Sequence, residues 1–290
     1  IRKLAAEIAR SECKVVVVKT WYGEAFQNAN YLAQLLKDSA PDVITVADGL
    51  PVAIYREILL ENSSFDLAVT STGDQLITTI LERAKTADDK KSALERIHRD
   101  ADNGKLTNLL YRNVDSIAFS GRGNCRAEDK QTPEYTSMNG KIKIHTVVDS
   151  IGCPWSKCFF CTHPIVHGAP SLREPVDVVD EIESMRKKGI GIFRLAGSAT
   201  PTDHVEAIAR RILEKNIRIH FSMFSRVVKD INDPEVYRNM VTSFRIIISA
   251  GLRAVFIGAE SASDTVNELV MNKGIVKRDI LYTVKAIREA

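Results

Sequence analysis

The chain has 290 residues, 44% of them hydrophobic and 27% charged, with a net charge of +3. That length favours two domains or one large barrel and supplies a sizeable core. The small, unclustered charge argues against nucleic acid or an anionic membrane as partner. The most apolar stretch, FRIIISAGLRAVFIGA, is broken by Gly251 and Arg253 and is too short to cross a bilayer.

The first residues, IRKLAAEIARSE, are amphipathic and charged and lack the apolar centre of a secretory signal. Because it starts at Ile1, the chain reads as an excerpt of a longer one. From Lys14 to about Lys85, strand-like and helical patterns alternate. KVVVVKT, DVITVADG and FDLAVTST read as strands, and EAFQNANYLAQLLKDS, PVAIYREILLEN and GDQLITTILERAK as helices. Fully apolar strands separated by helices predict a parallel sheet covered on both faces, as in a doubly wound domain. Ligands of such domains lie at the carboxyl ends of the strands. Here those ends carry Thr20, Trp21 and Tyr22, then Gly49 and Leu50, then Gly73 and Asp74. The plain alternative for the glycines is turn formation.

KTADDKKSALERIHRDADNGK is a mixed-sign stretch that reads as a solvated linker or helix. Residues up to 140 are polar and turn-rich, with LTNLLYR and SIAFS as a small strand-like extension. From Lys141 the rhythm returns, with KIKIHTVVDS, IGIFRLAGS, IRIHFSMFS and LRAVFIGAE as strands. The helices between them close on KKG, EKN and SAG, which are C-terminal signals. Four consecutive βα units predict a barrel-type domain with its site at the carboxyl ends of the strands. The expected limits are residues 1–104 for the first domain, 105–140 for a connector and 141–290 for the partial barrel.

Just beyond the first barrel strand lies IGCPWSKCFFCTHP, which holds Cys153, Cys158 and Cys161, three of the five cysteines. An odd, crowded set is a poor disulfide framework and a reasonable metal pattern. Cys13 and Cys125 read as ordinary buried or loop thiols. A Cys₃His zinc site that adds His163 is one option. A cubane iron–sulfur cluster is another; with three thiolates it leaves one iron open to substrate.

GCPWSKCFFC at the end of the first barrel strand resembles the cluster loop of the radical S-adenosylmethionine (radical SAM) enzymes, with Phe160 as the aromatic residue before the last cysteine. The whole chain is similar to the subgroup with an N-terminal cobalamin-binding domain. FSMFSR, IGAESASD with VNELVMNKG, and FDLAVTSTGD carry that likeness. The resemblance implies an α/β protein in which a Rossmann-like (flavodoxin-like) domain precedes a partial (β/α) barrel of the TIM type. It implies a [4Fe–4S] cluster on Cys153, Cys158 and Cys161, which cleaves S-adenosylmethionine to a 5′-deoxyadenosyl radical. With cobalamin present, the implied outcome is methyl transfer from methylcobalamin to an unactivated carbon.

By the same resemblance, Phe160, Gly197, Ser198, Arg226, Glu260 and Ser261 bind S-adenosylmethionine. Thr20, Trp21, Tyr22, Gly49, Leu50, Gly73 and Asp74 bind cobalamin. For Gly197 and Ser198 the alternative is a simple turn capped by Thr200 or Thr202; for Arg226 it is a solvated surface position. His145 and His220 read as core histidines, and Met185, Met223 and Met240 as core packing, while His163 and His167 flank the cysteine loop. Three features depart from the family pattern. The first spacing is C-x₄-C rather than C-x₃-C, no D-x-H-x-x-G is present, and the chain stops after four barrel units without a first βα unit for the cobalamin domain.

The implied protein is a cytoplasmic, oxygen-sensitive enzyme with a small-molecule or peptide substrate and an electron donor such as flavodoxin or ferredoxin. Its rivals are a cobalamin-independent radical enzyme and a zinc-stabilised α/β binding module.

Overall fold

The computed structural model describes residues 1–71, 74–124, 126–130, 132–133 and 144–290. The chain divides into two compact units. One is Ile1–Cys125 with Ile165–Gly168, and the other is Arg126–Pro164 with Ala169–Ala290.

In the first unit, α1 (Arg2–Ala9), β1 (Val15–Lys19), α2 (Glu24–Ser39), β2 (Ile44–Asp48), α3 (Leu50–Glu61), β3 (Leu67–Val69), α4 (Asp74–Lys85) and α5 (Lys90–Asp102) follow one another. Two further strands, β4 (Leu109–Arg112) and β5 (Ile117–Phe119), complete a sheet of order β1-β2-β3-β4-β5. The expected connector 105–140 therefore contributes two strands to the first sheet rather than a separate extension. β1, β2 and β3 are parallel, but β4 pairs antiparallel with both β3 and β5. The sheet is thus mixed: the short turn from Asn113 to Ser116 makes β4 and β5 antiparallel neighbours, and the two helices α4 and α5 return the chain to the carboxyl end of β3, where β4 begins.

Both sheet faces are covered. Val46, Leu67 and Val69 pack with Ile80 of α4 and Ile97 of α5. On the other face, Ala47 and Ala68 pack with Ala33 of α2 and Leu59 of α3. This is why the central strands read as unbroken apolar runs. The mixed-sign stretch becomes α5, started by a capping box between Asp89 and Ser92.

The second unit begins with β6 (Ile144–Val147) and β7 (Ser150–Ile151); after the cysteine loop comes α6 (His163–His167), whose last residues belong to the first unit. Then follow β8 (Ser171–Leu172), α7 (Pro175–Lys187), β9 (Ile192–Leu195), α8 (Thr202–Glu214), β10 (His220–Ser225), α9 (Pro234–Ser249), β11 (Leu252–Ile257) and α10 (Lys277–Glu289). β6, β9, β10 and β11 form one parallel sheet of order β11-β10-β9-β6, as expected of a barrel section. Val147, Phe193, Leu195, Phe221 and Met223 turn to the helical layer, where Met185 and Met240 are also buried. Ile144, Ile192 and Phe256 face the other way and are exposed.

The helix stops fall where KKG, EKN and SAG place them. Gly189, Asn216 and Gly251 each adopt positive φ after the last turn. His145 is fully buried and bonds Glu181 at 2.7 Å, which also pairs with Arg173. Burial pushes the Glu181 carboxyl up, but those two partners outweigh it and hold the group below its ordinary value. His220 departs from its expected core position. It is exposed and accepts a bond from Arg253 Nε at 3.1 Å.

Two glycines separate backbone strain from crowding. An added Cβ at Gly189 would meet nothing within 4 Å, whereas at Gly251 it would sit 2.1 Å from the Ile219 carbonyl oxygen. Gly189→Ala is expected to cost about 1–2 kcal/mol from its backbone alone. Gly251→Ala should cost at least about 2 kcal/mol more, because a core backbone must shift. Chemical denaturation followed by circular dichroism checks the order; equal losses would refute it.

Candidate functional site

The carboxyl end of β6 leads into a buried knot. Asp149 is fully buried and accepts the Gly197 N–H at 2.8 Å and the Thr200 hydroxyl. Ser150 and Thr200 hydroxyls are 2.9 Å apart. A Cβ on Gly197 would lie 2.0 Å from both Ser150 Oγ and Thr200 Oγ1. Gly197 is therefore a close-approach position whose N–H is already committed. Thr200 is not a helix cap either; α8 starts after Pro201 with no side-chain cap. Ser198 Oγ lies 3.0 Å from His163 Nδ1, which ties it to the cysteine loop.

That loop is fixed from both sides. Within it, the Cys161 N–H bonds the Cys158 carbonyl at 3.2 Å, and Ser156 Oγ bonds the Cys153 carbonyl. Ser156 has φ 46°, so the four-residue spacer between Cys153 and Cys158 is turned at a left-handed residue. Across from it, the segment Met271–Gly274 acts as a clamp. Trp155 Nε1 donates to the Asn272 carbonyl at 2.8 Å, Phe159 N–H to the Met271 carbonyl at 3.0 Å, and Asn272 Nδ2 to the Lys157 carbonyl at 3.0 Å. The Trp155 ring lies so close that a Cβ on Gly274 would be 2.2 Å from it.

Arg226, Glu260 and Lys273 complete the setting. The Arg226 guanidinium sits 4.6 Å from the Trp155 ring centroid and bonds the Lys273 carbonyl. It is half-buried rather than a freely solvated surface position. Glu260 pairs with the buried Lys273 at 3.0 Å, and that ammonium is 5.6 Å from the Phe160 ring. Glu260 thus faces the cysteine loop's surroundings rather than the helical shell. Ser261 Oγ accepts the Ser263 N–H at 3.1 Å. The sequence reading missed Trp155, Lys273 and Gly274; the Asn-Lys-Gly turn was their only local signal.

Cys153, Cys158 and Cys161 are free and half-buried. Burial pushes the Cys158 thiol up, Lys273 and Arg226 oppose it, and Cys161 and Cys153 add to it. The net shift of Cys158 is upward, and the three sulfurs are in electrostatic reach of one another beside the Lys273 and Arg226 cations. Among the described residues, no three His, Cys, Asp or Glu side chains close around one point as ligands of a single ion do. A cubane asks for something else, one thiolate per iron corner, and this donor set fits it. Burial pushes the His163 ring down from its ordinary value.

In the first unit, Thr20 is buried, with its N–H and hydroxyl both on the Asp48 carbonyl at 2.6 and 2.9 Å. Gly49 is forced by the same contact, since its Cβ would lie 2.5 Å from the Thr20 carbonyl oxygen. Both are structural supports. Trp21 and Tyr22 are exposed and meet edge to face at 5.7 Å, and Tyr22 meets Tyr55 at 6.4 Å. Leu50 opens α3 and is half-buried. Gly73 lies outside the described residues, as does the Asp74 side chain, although Asp74 begins α4.

The family model for the radical SAM superfamily matches residues 147–290. This half of the chain belongs to that superfamily. The anaerobic magnesium-protoporphyrin IX monomethyl ester cyclase of Rubrivivax gelatinosus is 24% identical over 272 residues, covering 88% of this chain and 45% of that protein. An uncharacterized protein of Methanocaldococcus jannaschii is 23% identical over 51% of this chain and 27% of its own. The chain thus spans less than half the length of these curated relatives. Among solved structures, the radical S-adenosylmethionine methyltransferase TsrM of Kitasatospora setae matches with a TM-score of 0.73 at 16% identity, over 99% of this chain and 57% of that one. A second structure of TsrM, with cobalamin and a [4Fe–4S] cluster bound, matches with a TM-score of 0.73 at 15% identity, over 99% and 58%. These likenesses establish the α/β fold, a domain built on the parallel strands β1–β3 followed by a partial barrel.

Anaerobically reconstituted protein is expected to hold about four irons per chain, and none after Cys153, Cys158 and Cys161 are replaced together by Ala. Gly274→Val, which evicts the Trp155 ring, should lower iron retention with all three cysteines intact. Iron assay and visible absorption read both; full retention in Gly274→Val would show that the clamp does not hold the loop.

Proposed function

We propose that the chain forms the cobalamin-binding and radical-generating part of a radical SAM enzyme that methylates an unactivated carbon. The observation that carries this is the three-thiol loop, clamped beside Lys273 and Glu260 within the segment that matches the superfamily. Support for cobalamin comes from the fold shared with a protein solved with cobalamin and a [4Fe–4S] cluster. The exposed aromatics at the end of β1 agree with it.

Cys153, Cys158 and Cys161 would hold a [4Fe–4S] cluster, which when bound supplies the electron that cleaves S-adenosylmethionine to a 5′-deoxyadenosyl radical. The other residues position and shield. Lys273 holds the Glu260 carboxylate in place, so that it can accept hydrogen bonds from the amino or ribose hydroxyl groups of S-adenosylmethionine. Arg226 steadies Trp155 from the side of the cysteine loop. Phe160, half exposed beside Lys273, gives the reacting centre an apolar rim. A one-electron donor, such as a flavodoxin or ferredoxin, and a small-molecule or peptide substrate complete the reading.

A second reading is a radical reaction without methyl transfer, favoured by the relative described as a cyclase, which aligns with 88% of this chain. Products separate the two. With cobalamin, reductant and S-adenosylmethionine, methyl transfer requires release of S-adenosylhomocysteine as well as 5′-deoxyadenosine. Formation of 5′-deoxyadenosine alone, with cobalamin bound, would favour the second reading.

Glu260→Ala should weaken S-adenosylmethionine binding by about 1.5–3 kcal/mol, the value of a charged hydrogen bond, while thermal unfolding stays near that of the parent. Unchanged binding and cleavage would remove Glu260 from the cofactor site.

A further inference from the structure

The first unit contains a cavity of about 160 Å³ lined by Arg56, Thr70, Asn108, Arg122 and His167, among others. Thr70 follows β3, Asn108 precedes β4, and Arg122 follows β5. Because β4 runs antiparallel to both neighbours, these three lie at the carboxyl edge of β3, where α/β sheets hold ligands. His167 comes from Ile165–Gly168, which belongs to the same unit.

The walls are tightly held. Asn108 has φ 63°, donates Nδ2–H to the Gly123 carbonyl at 3.1 Å and accepts the Gly123 N–H on Oδ1 at 3.0 Å. Its own carbonyl takes the Thr70 N–H at 2.9 Å and hydroxyl at 3.1 Å. A Cβ on Gly123 would lie 2.0 Å from Thr107 Oγ1. Arg56 has φ 49° inside α3, breaking the helix where no Gly or Pro asks for a break. Such backbone is rare for side-chain-bearing residues and concentrates at ligand clamps.

The Arg56 guanidinium lies 4.1 Å from the Phe119 ring centroid. Its Nε and Nη2 bond the Glu57 carboxylate at 3.2 and 3.0 Å, and Nη1 has no partner among the described residues. No Asp or Glu is among the described lining residues; Glu57 offsets the Arg56 charge from outside the lining, and Arg122 adds a second cation. Its volume is below the roughly 300–1,000 Å³ of a whole small-ligand pocket. It suits one anionic group of a larger molecule.

We propose that Arg56 and Arg122 form a subsite for a phosphodiester, and that the phosphodiester is the one in the nucleotide loop of a corrinoid. This rests on the cobalamin reading above. With Nε and Nη2 of Arg56 held by Glu57, its Nη1 and the Arg122 guanidinium are the donors left for phosphate oxygens, and the corrin ring itself would stay outside so small a cavity.

Equilibrium dialysis with cobalamin and with cobinamide, the same corrin without its nucleotide loop, tests this on the full chain. The parent should hold cobalamin at least tenfold more tightly. Arg56→Gln and Arg122→Gln should each lose most of that preference while keeping their affinity for cobinamide. Arg122 is exposed, so its variant keeps the fold even if the break in α3 makes Arg56→Gln unstable; thermal melts verify both. Equal affinity for the two corrinoids, or a preference that survives both substitutions, overturns the proposal. If neither corrinoid binds, the cobalamin reading fails, and the phosphorus resonance of inorganic phosphate decides the cavity by itself. Broadening with the parent but not with either variant supports the subsite, and no difference overturns it.

Discussion

Gly274 has no side chain, and the indole of Trp155 fills the space where one would stand. Much of the second unit's candidate site depends on that contact. The stretch from Cys153 to Cys161 contains no helix or strand, so its order must come from elsewhere. An unsupported loop of this kind would lose on the order of 1–2 kcal/mol per fixed residue. Three bonds to Met271–Asn272, the half-buried Trp155 ring and the Arg226 guanidinium against it supply the restraint. Lys273, next in the same segment, carries the charge to Cys158 and Glu260. One short turn therefore sets position and electrostatics together.

Backbone strain is distributed in the same way. Among the described residues, seven other than glycine have positive φ. Ser156, Glu260 and Asn272 belong to the cysteine loop and its surroundings, while Arg56 and Asn108 line the cavity of the first unit. Asn216 ends a helix, where left-handed Asn is ordinary. Strain of this kind persists where surrounding contacts over-determine it, and Asn108 and Asn272 show how. Each spends its side-chain amide on a distant backbone group.

Local patterns made much of the architecture legible. The helix α2 begins and ends where its spacing places it, and the four barrel strands fall within the predicted runs. The three cysteines were legible because their spacing is local. Roles that depend on distant partners were not. Trp155 and Asn272 are 117 residues apart in sequence, and nothing in either neighbourhood announces the pair. Arg226 and Gly197 were candidates for cofactor contacts, and the structure adds partners that neither neighbourhood announces, the Trp155 ring and the Asp149 carboxylate. Thr20 and Gly49 support the strand ends. β4 and β5 read as a separate extension because four and three residues are too few to show which sheet they join.

The residues Ile165–Gly168 fold with the first unit although they come four residues after Cys161 of the second. The chain therefore changes unit three times, once after Cys125 and again on each side of that short insert. A gene cut at either seam would not yield an intact half. A piece ending at residue 125 would lack the wall that holds His167, and a piece starting at 126 would carry four residues that fold elsewhere. Recombination could not exchange one unit for a foreign one without also grafting those four positions into the other.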